Sequence, residues 1–166
     1  MNSLFKIIAT LVMAAAFASA AVDVPALREL FLTQTNDYRV LHQVDKVVVN
    51  STIQAGAQEW ADYLAFTYKG LKHSSSGLGE NLAYASSSIA NRAVKMWYDE
   101  VQYYNFSAPG FSSATGHFTQ LVWKNSKQVG FGITESNGIV FVVCRYYPPG
   151  NYLGQFDKNV FPAKLN

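Results

Sequence analysis

The chain has a single cysteine, Cys144, so no disulfide can close within it and stability must come from packing. Charge is sparse as well: 13 Lys+Arg against 11 Asp+Glu in 166 residues, with no run of one sign. That near-neutrality gives no phosphate-binding surface and predicts no nucleic-acid partner. Long apolar runs are missing after the N-terminus. The one apolar stretch there, Ile7 to Ala18, is about a dozen residues, short of the ~20 that span a bilayer. Internal repeats, low-complexity tracts and interior linkers are absent too. Histidine is scarce, with three residues at 42, 73 and 117, so any imidazole chemistry has few places to reside.

The first 20 residues read as a secretory leader. Lys6 is their only charge, the apolar core follows it, and Ala18-Ser19-Ala20 fits a small-x-small cleavage site. Cleavage after Ala20 leaves residues 21–166, one domain of 146 residues with 12 Lys+Arg against 11 Asp+Glu. The expected location is therefore extracellular, with no transmembrane anchor after cleavage. A secretory route would expose two glycosylation sequons, Asn50-Ser51-Thr52 and Asn105-Phe106-Ser107. Aromatic neighbours crowd the second, so Asn50 is expected to be the more accessible. Cys144 lies in the apolar run Ile139 to Val143, which predicts a buried, inert thiol; an intermolecular disulfide is the sharper alternative.

Periodicity predicts helices over 27–41, from Ser51 or Thr52 to about Tyr68, from Ser87 or Ser88 to about Tyr104, and a short one over 117–123. In the third helix Ala90, Ala93, Val94, Trp97, Val101 and Tyr104 share a side with Glu100, while Asp99 points away. Strands are predicted over 80–85, 129–135 and 139–147, the last two joined through Asn137-Gly138, a hairpin dipeptide. This order predicts an α+β domain, helices layered on a small antiparallel sheet.

His73, Glu80, Glu100 and His117 form the candidate site. Two imidazoles and two carboxylates suit a divalent cation such as zinc, or acid–base chemistry on a bound water. Their spacing is not a local metal motif, and the competing reading is four separate, locally satisfied side chains. Ser86 would share a strand face with Glu80 and could imitate a nucleophilic triad with His73, although no Gly-x-Ser-x-Gly turn supports it and a helix start suits Ser86 better.

Gly116-His117-Phe118-Thr119-Gln120-Leu121-Val122-Trp123-Lys124-Asn125-Ser126 and Phe141-Val142-Val143-Cys144-Arg145-Tyr146-Tyr147-Pro148-Pro149-Gly150-Asn151-Tyr152 resemble the two diagnostic motifs of the CAP superfamily, the cysteine-rich secretory, antigen 5 and pathogenesis-related proteins. Gly79-Glu80-Asn81-Leu82-Ala83 and Trp97-Tyr98-Asp99-Glu100 extend the similarity from roughly Phe31 to Asn159. The resemblance implies a three-layer α-β-α sandwich in which His73, Glu80, Glu100 and His117 converge in a cleft. Proteolysis has been suggested for the family, but most members have no established catalytic activity. Tyr98, Tyr103 and Phe106 fit an aromatic-x4-aromatic-x2-aromatic pattern like one linked to sterol binding there, and Phe111 adds a loop aromatic. The resulting expectation is a small lipid or sterol ligand, with a hydrolase built on the same four residues as the alternative. Phe131 stands where disulfide-rich members carry a cysteine, which places the chain nearest the cysteine-poor, Golgi-associated plant pathogenesis-related branch. Met1-Asn2-Ser3 does not fit the Met-Gly myristoylation signal of that branch.

Overall fold

The computed structural model describes residues 22–164; the leader predicted over 1–20 lies outside them. In chain order the elements are α1 (Val24–Leu41), β1 (Val48–Val49), α2 (Ser51–Asp62), β2 (Gly79–Ser86), α3 (Ala93–Asp99), α4 (Gly116–Leu121), β3 (Gln128–Ser136), β4 (Ile139–Tyr147) and α5 (Phe156–Asn159). The sheet order is β1-β3-β4-β2. The three long strands are antiparallel, and β1 adds a two-residue parallel edge that the sequence pattern did not reveal. Asn137 and Gly138 both have positive φ, 52° and 75°, which a tight β3–β4 turn requires.

Both faces of the sheet are covered, which explains why β4 reads as an unbroken apolar run rather than an alternating one. Phe141 and Val143 of β4, with Leu82 of β2, meet Ala57 and Ala61 of α2 and Leu64 just past its end. Val140, Val142, Cys144 and Tyr146 face the opposite layer, against Phe31, Val94, Trp97, Phe118 and Trp123. The result is the α-β-α sandwich. On the α2 side the approach is close: a Cβ at Gly130 would lie 2.2 Å from the Gln54 backbone nitrogen, and one at Gly132 would lie 2.0 Å from the Ala57 carbonyl. Phe131, between them, points the other way, onto Phe31.

Several expected boundaries moved. Asn50, not Ser51 or Thr52, caps α2, accepting from the amides of Thr52 and Ile53 at 2.9 and 3.1 Å. Past Asp62 the helix widens into a π-turn, Tyr63–Tyr68. The predicted third helix is α-helical only over Ala93–Asp99, with 3₁₀ turns at Ser87–Arg92 and Glu100–Tyr103. Asn50 also donates to Gln128 at 2.9 Å and is half-buried, whereas Asn105 is exposed; the accessibility of the two sequons is the reverse of the sequence expectation.

Cys144 is fully buried, and burial pushes its thiol well above the usual range. Its cross-strand partners are Phe131 and Asn81, and enclosed between them the thiol has no surface from which an intermolecular disulfide could form. Arg39 is buried without a carboxylate partner. It donates instead to the carbonyls of Asp45, Leu121, Trp123 and Ser126, and burial lowers its guanidinium to about 10. It thereby ties α1 to the C-terminal end of α4, where carbonyls otherwise lack partners.

Gly132→Ala should force α2 off the sheet and cost about 1–3 kcal/mol, the usual range for overpacking. Urea denaturation would show this as a lower midpoint at an unchanged slope.

Candidate functional site

β2 is an edge strand, and its successive side chains leave on opposite faces. Glu80 leaves on the α2 side, paired across the sheet with Arg145, whose Nε donates to it at 3.1 Å. Asn81 leaves on the other side and donates to the His117 carbonyl at 3.0 Å. Two histidine–carboxylate pairs therefore meet around one strand edge, each built on a different layer.

In the first pair, Glu80 is only 5% exposed and His73 is 65% exposed, with Nδ1 donating to Glu80 at 2.9 Å. The Ser74 amide and hydroxyl donate to the same carboxylate at 2.9 and 2.6 Å. Burial works to raise the Glu80 carboxyl, but hydrogen bonds from His73, Ser74 and Arg145 outweigh it and hold the group at about 2. His73 is raised in turn, chiefly by its bond to Glu80.

The second pair hangs on α4. Glu100 Oε2 accepts the backbone amides of His117 and Phe118 at 2.9 and 3.1 Å, while Oε1 accepts His117 Nδ1 at 2.6 Å. One carboxylate thus satisfies orphan amides at the start of a six-residue helix and also aims its histidine. The expected contrast with Asp99 is present: Glu100 is 19% exposed, whereas Asp99 points to solvent and pairs with Lys95.

The two motif segments turn out to be halves of one joint. Thr119 donates to Asn151, Asn151 to the Gly116 carbonyl, the Gly150 amide to Gln120, and Ser126 to the Pro148 carbonyl, at 2.6–2.9 Å. Asn151 holds φ at 60°, a conformation that asparagine tolerates better than most residues. Sequence reasoning missed Arg145, Asn81 and Asn151 as positioning residues; their signal was the density of polar side chains inside otherwise apolar motifs.

A cavity of about 210 Å³ is lined by His73, Glu80, Asn81, Phe111, Gly116 and His117. An adjoining one of about 260 Å³, lined by Leu71, Leu82, Tyr84, Met96, Trp97 and His117, runs along the β2 edge. His117 belongs to both. Among the described residues, neither His73 Nε2 nor His117 Nε2 has a hydrogen-bond partner, and no three His, Cys, Asp or Glu side chains form a metal-holding group.

The other expected site residues are dispersed. Ser86 bonds Ser88 at 3.0 Å and lies six residues along β2 from Glu80, ~20 Å at strand spacing, which removes it from any triad. Tyr98 stacks on Tyr38 and meets His42, a buried histidine whose Nδ1 donates to the Phe161 carbonyl. Phe106 packs on Tyr104 and Phe118, while Tyr103 is exposed. Tyr98, Tyr103 and Phe106 therefore make no single surface. Only Phe111 of that set lines the histidine cavity.

An α-β-α sandwich carrying paired histidines and carboxylates at a sheet edge defines the class. Residues 32–146 match the CAP family, described as the cysteine-rich secretory protein family, and the chain belongs to it. It is 44% identical over 137 residues to human Golgi-associated plant pathogenesis-related protein 1, covering 78% of this chain and 88% of that protein. Pathogenesis-related protein 1A of Nicotiana tabacum is 40% identical over 132 residues, covering 75% and 77%. The fold matches the crystal structure of NaASP2 with Zn2+ at a TM-score of 0.65 and 23% identity, covering 83% of this chain and 86% of that one. It also matches the hookworm platelet inhibitor at 0.67 and 20%, covering 87% and 80%. No helix of the described residues is long and apolar enough to cross a membrane.

The depressed Glu80 and raised His73 fix a pH window. Stability from Glu80 is complete above its ordinary value of 4.5 and is lost as pH falls towards about 2. Stability from His73 is complete below 6.5 and declines as pH rises through its elevated value. The pair should therefore stabilise most between 4.5 and 6.5, and Glu80→Gln should flatten both flanks in urea melts recorded across pH.

Proposed function

We propose that this is a secreted binding protein whose ligand is a small amphipathic lipid or sterol, held with its polar end at the two histidines. The observation that carries this reading is the shared wall at His117. On one side lies a cavity with two unpartnered imidazole nitrogens; on the other lies an open, mainly apolar groove beside Leu71, Leu82, Met96 and Trp97. The leader pattern of residues 1–20 supports export.

A divalent cation fits the same place in a different manner from a four-ligand site. Each carboxylate is already committed to a histidine and to backbone amides, so each would act behind its imidazole. The two Nε2 atoms would be the protein ligands, and water would complete the shell. Zinc bound this way would be held modestly. Hydrolysis is less well supported, because among the described residues no serine, threonine or cysteine side chain is hydrogen-bonded to His73 or His117.

Displacement of a fluorescent fatty acid tests the binding reading. Met96→Asp should weaken binding by about tenfold or more, given the value of one apolar side chain covered by the ligand, and His117→Ala should weaken it by a similar factor through the lost polar contact. Binding that survives both substitutions, or cleavage of a peptide substrate lost with His117→Ala, would replace this reading.

A further inference from the structure

The indole N–H groups of Trp60 and Trp97 donate to the Lys72 and Leu82 carbonyls at 2.9 and 3.0 Å. That of Trp123, just past α4, has no partner among the described residues, although the side chain is only 1% exposed. A buried indole N–H ordinarily finds an acceptor. The described side-chain atoms that are both sealed from solvent and unpartnered belong to Gln34, Thr35 and Tyr104, so the Trp123 N–H is left open at the surface. Trp123 lines a groove of about 320 Å³, bounded by Asn125, Pro148, Pro149, Tyr152 and Gln155. This groove shares no residue with either histidine cavity.

The walls are held in place from behind. Ser126 donates to the Pro148 carbonyl at 2.8 Å, the Asn125 amide donates to Asn159 at 3.1 Å, and the Gln155 amide closes a turn on the Tyr152 carbonyl at 3.1 Å. The side chains of Asn125, Tyr152 and Gln155 make no hydrogen bond among the described residues, and Tyr152 is half exposed. Two carboxamides, a phenol and an indole therefore offer donors beside two proline rings, and no charged side chain lines the groove. We propose that this groove docks an extended, proline-rich peptide segment of a partner protein. Prolines lack an N–H, so such a segment presents carbonyl acceptors and apolar rings, the complement of what the groove holds. In the polyproline II form those carbonyls have no internal partners, and little chain entropy is lost on docking. A sugar fits less well. It would stack on an open aromatic face, whereas Trp123 is enclosed by Gly150 and Phe156 and offers its N–H alone.

The test follows the indole signals of the three tryptophans in ¹⁵N–¹H correlation spectra while a capped deca-proline peptide is titrated into the protein. Trp123→Phe, which removes the N–H and keeps an aromatic ring, identifies the Trp123 signal. That signal should move saturably with the peptide while those of Trp60 and Trp97 stay in place. Tyr152→Ala, at an exposed position, should weaken the peptide's affinity about fivefold, the value of one aromatic contact. Unmoved Trp60 and Trp97 signals would show that this variant is folded. A Trp123 signal that stays still at millimolar peptide, or moves equally with a glycine–serine peptide of the same length, would overturn the proposal. So would a signal that moves with a chito-oligosaccharide and not with polyproline, which would make the groove a sugar site.

Discussion

A six-residue helix does not hold itself together in water, and the geometry of this site depends on what holds α4. Its N-terminal amides are satisfied by Glu100, its flank is clasped by Asn151, and the carbonyls at its far end are gathered by the buried Arg39. Glu100 does two jobs with one carboxylate, capping the helix and orienting His117. The position of the imidazole is therefore inseparable from the integrity of the fold around it.

The other histidine is anchored through a different chain of causes. Because Gly130 and Gly132 let α2 lie directly on the sheet, Arg145 is enclosed on that face and must be paired. Glu80 lies opposite it across the strands and supplies the pair. The same carboxylate then has capacity to hold His73 and Ser74. Two layers of one sandwich thus each contribute a histidine to the edge of β2. Both carboxylates are consumed in support, and both Nε2 atoms are left open.

Much of the fold was legible because its elements carry clean local signals. The Asn137-Gly138 turn, the apolar strands and the stripe of α1 all follow from periodicity and turn chemistry. Glu80 and His117 were legible through the motifs around them. Less accessible was anything set by long-range closure. Asn50 outcompetes Ser51 as a cap because it is also held by Gln128, 78 residues away. The 3₁₀ turn that begins at Glu100 places its carboxylate at the α4 amides, a contact that spans 17 residues and carries no local signal. Nothing local marks Arg39 as a buried residue, since the four carbonyls it meets converge from other segments.

The central claim is that Glu80 and Glu100 fix the histidines through Nδ1 and leave Nε2 free to accept a ligand or metal. Long-range ¹⁵N–¹H correlation spectra of the imidazoles, recorded above their titration, test it most directly. The account predicts that His73 and His117 are both in the Nδ1–H form, with an unprotonated Nε2. Finding either ring in the Nε2–H form would contradict it.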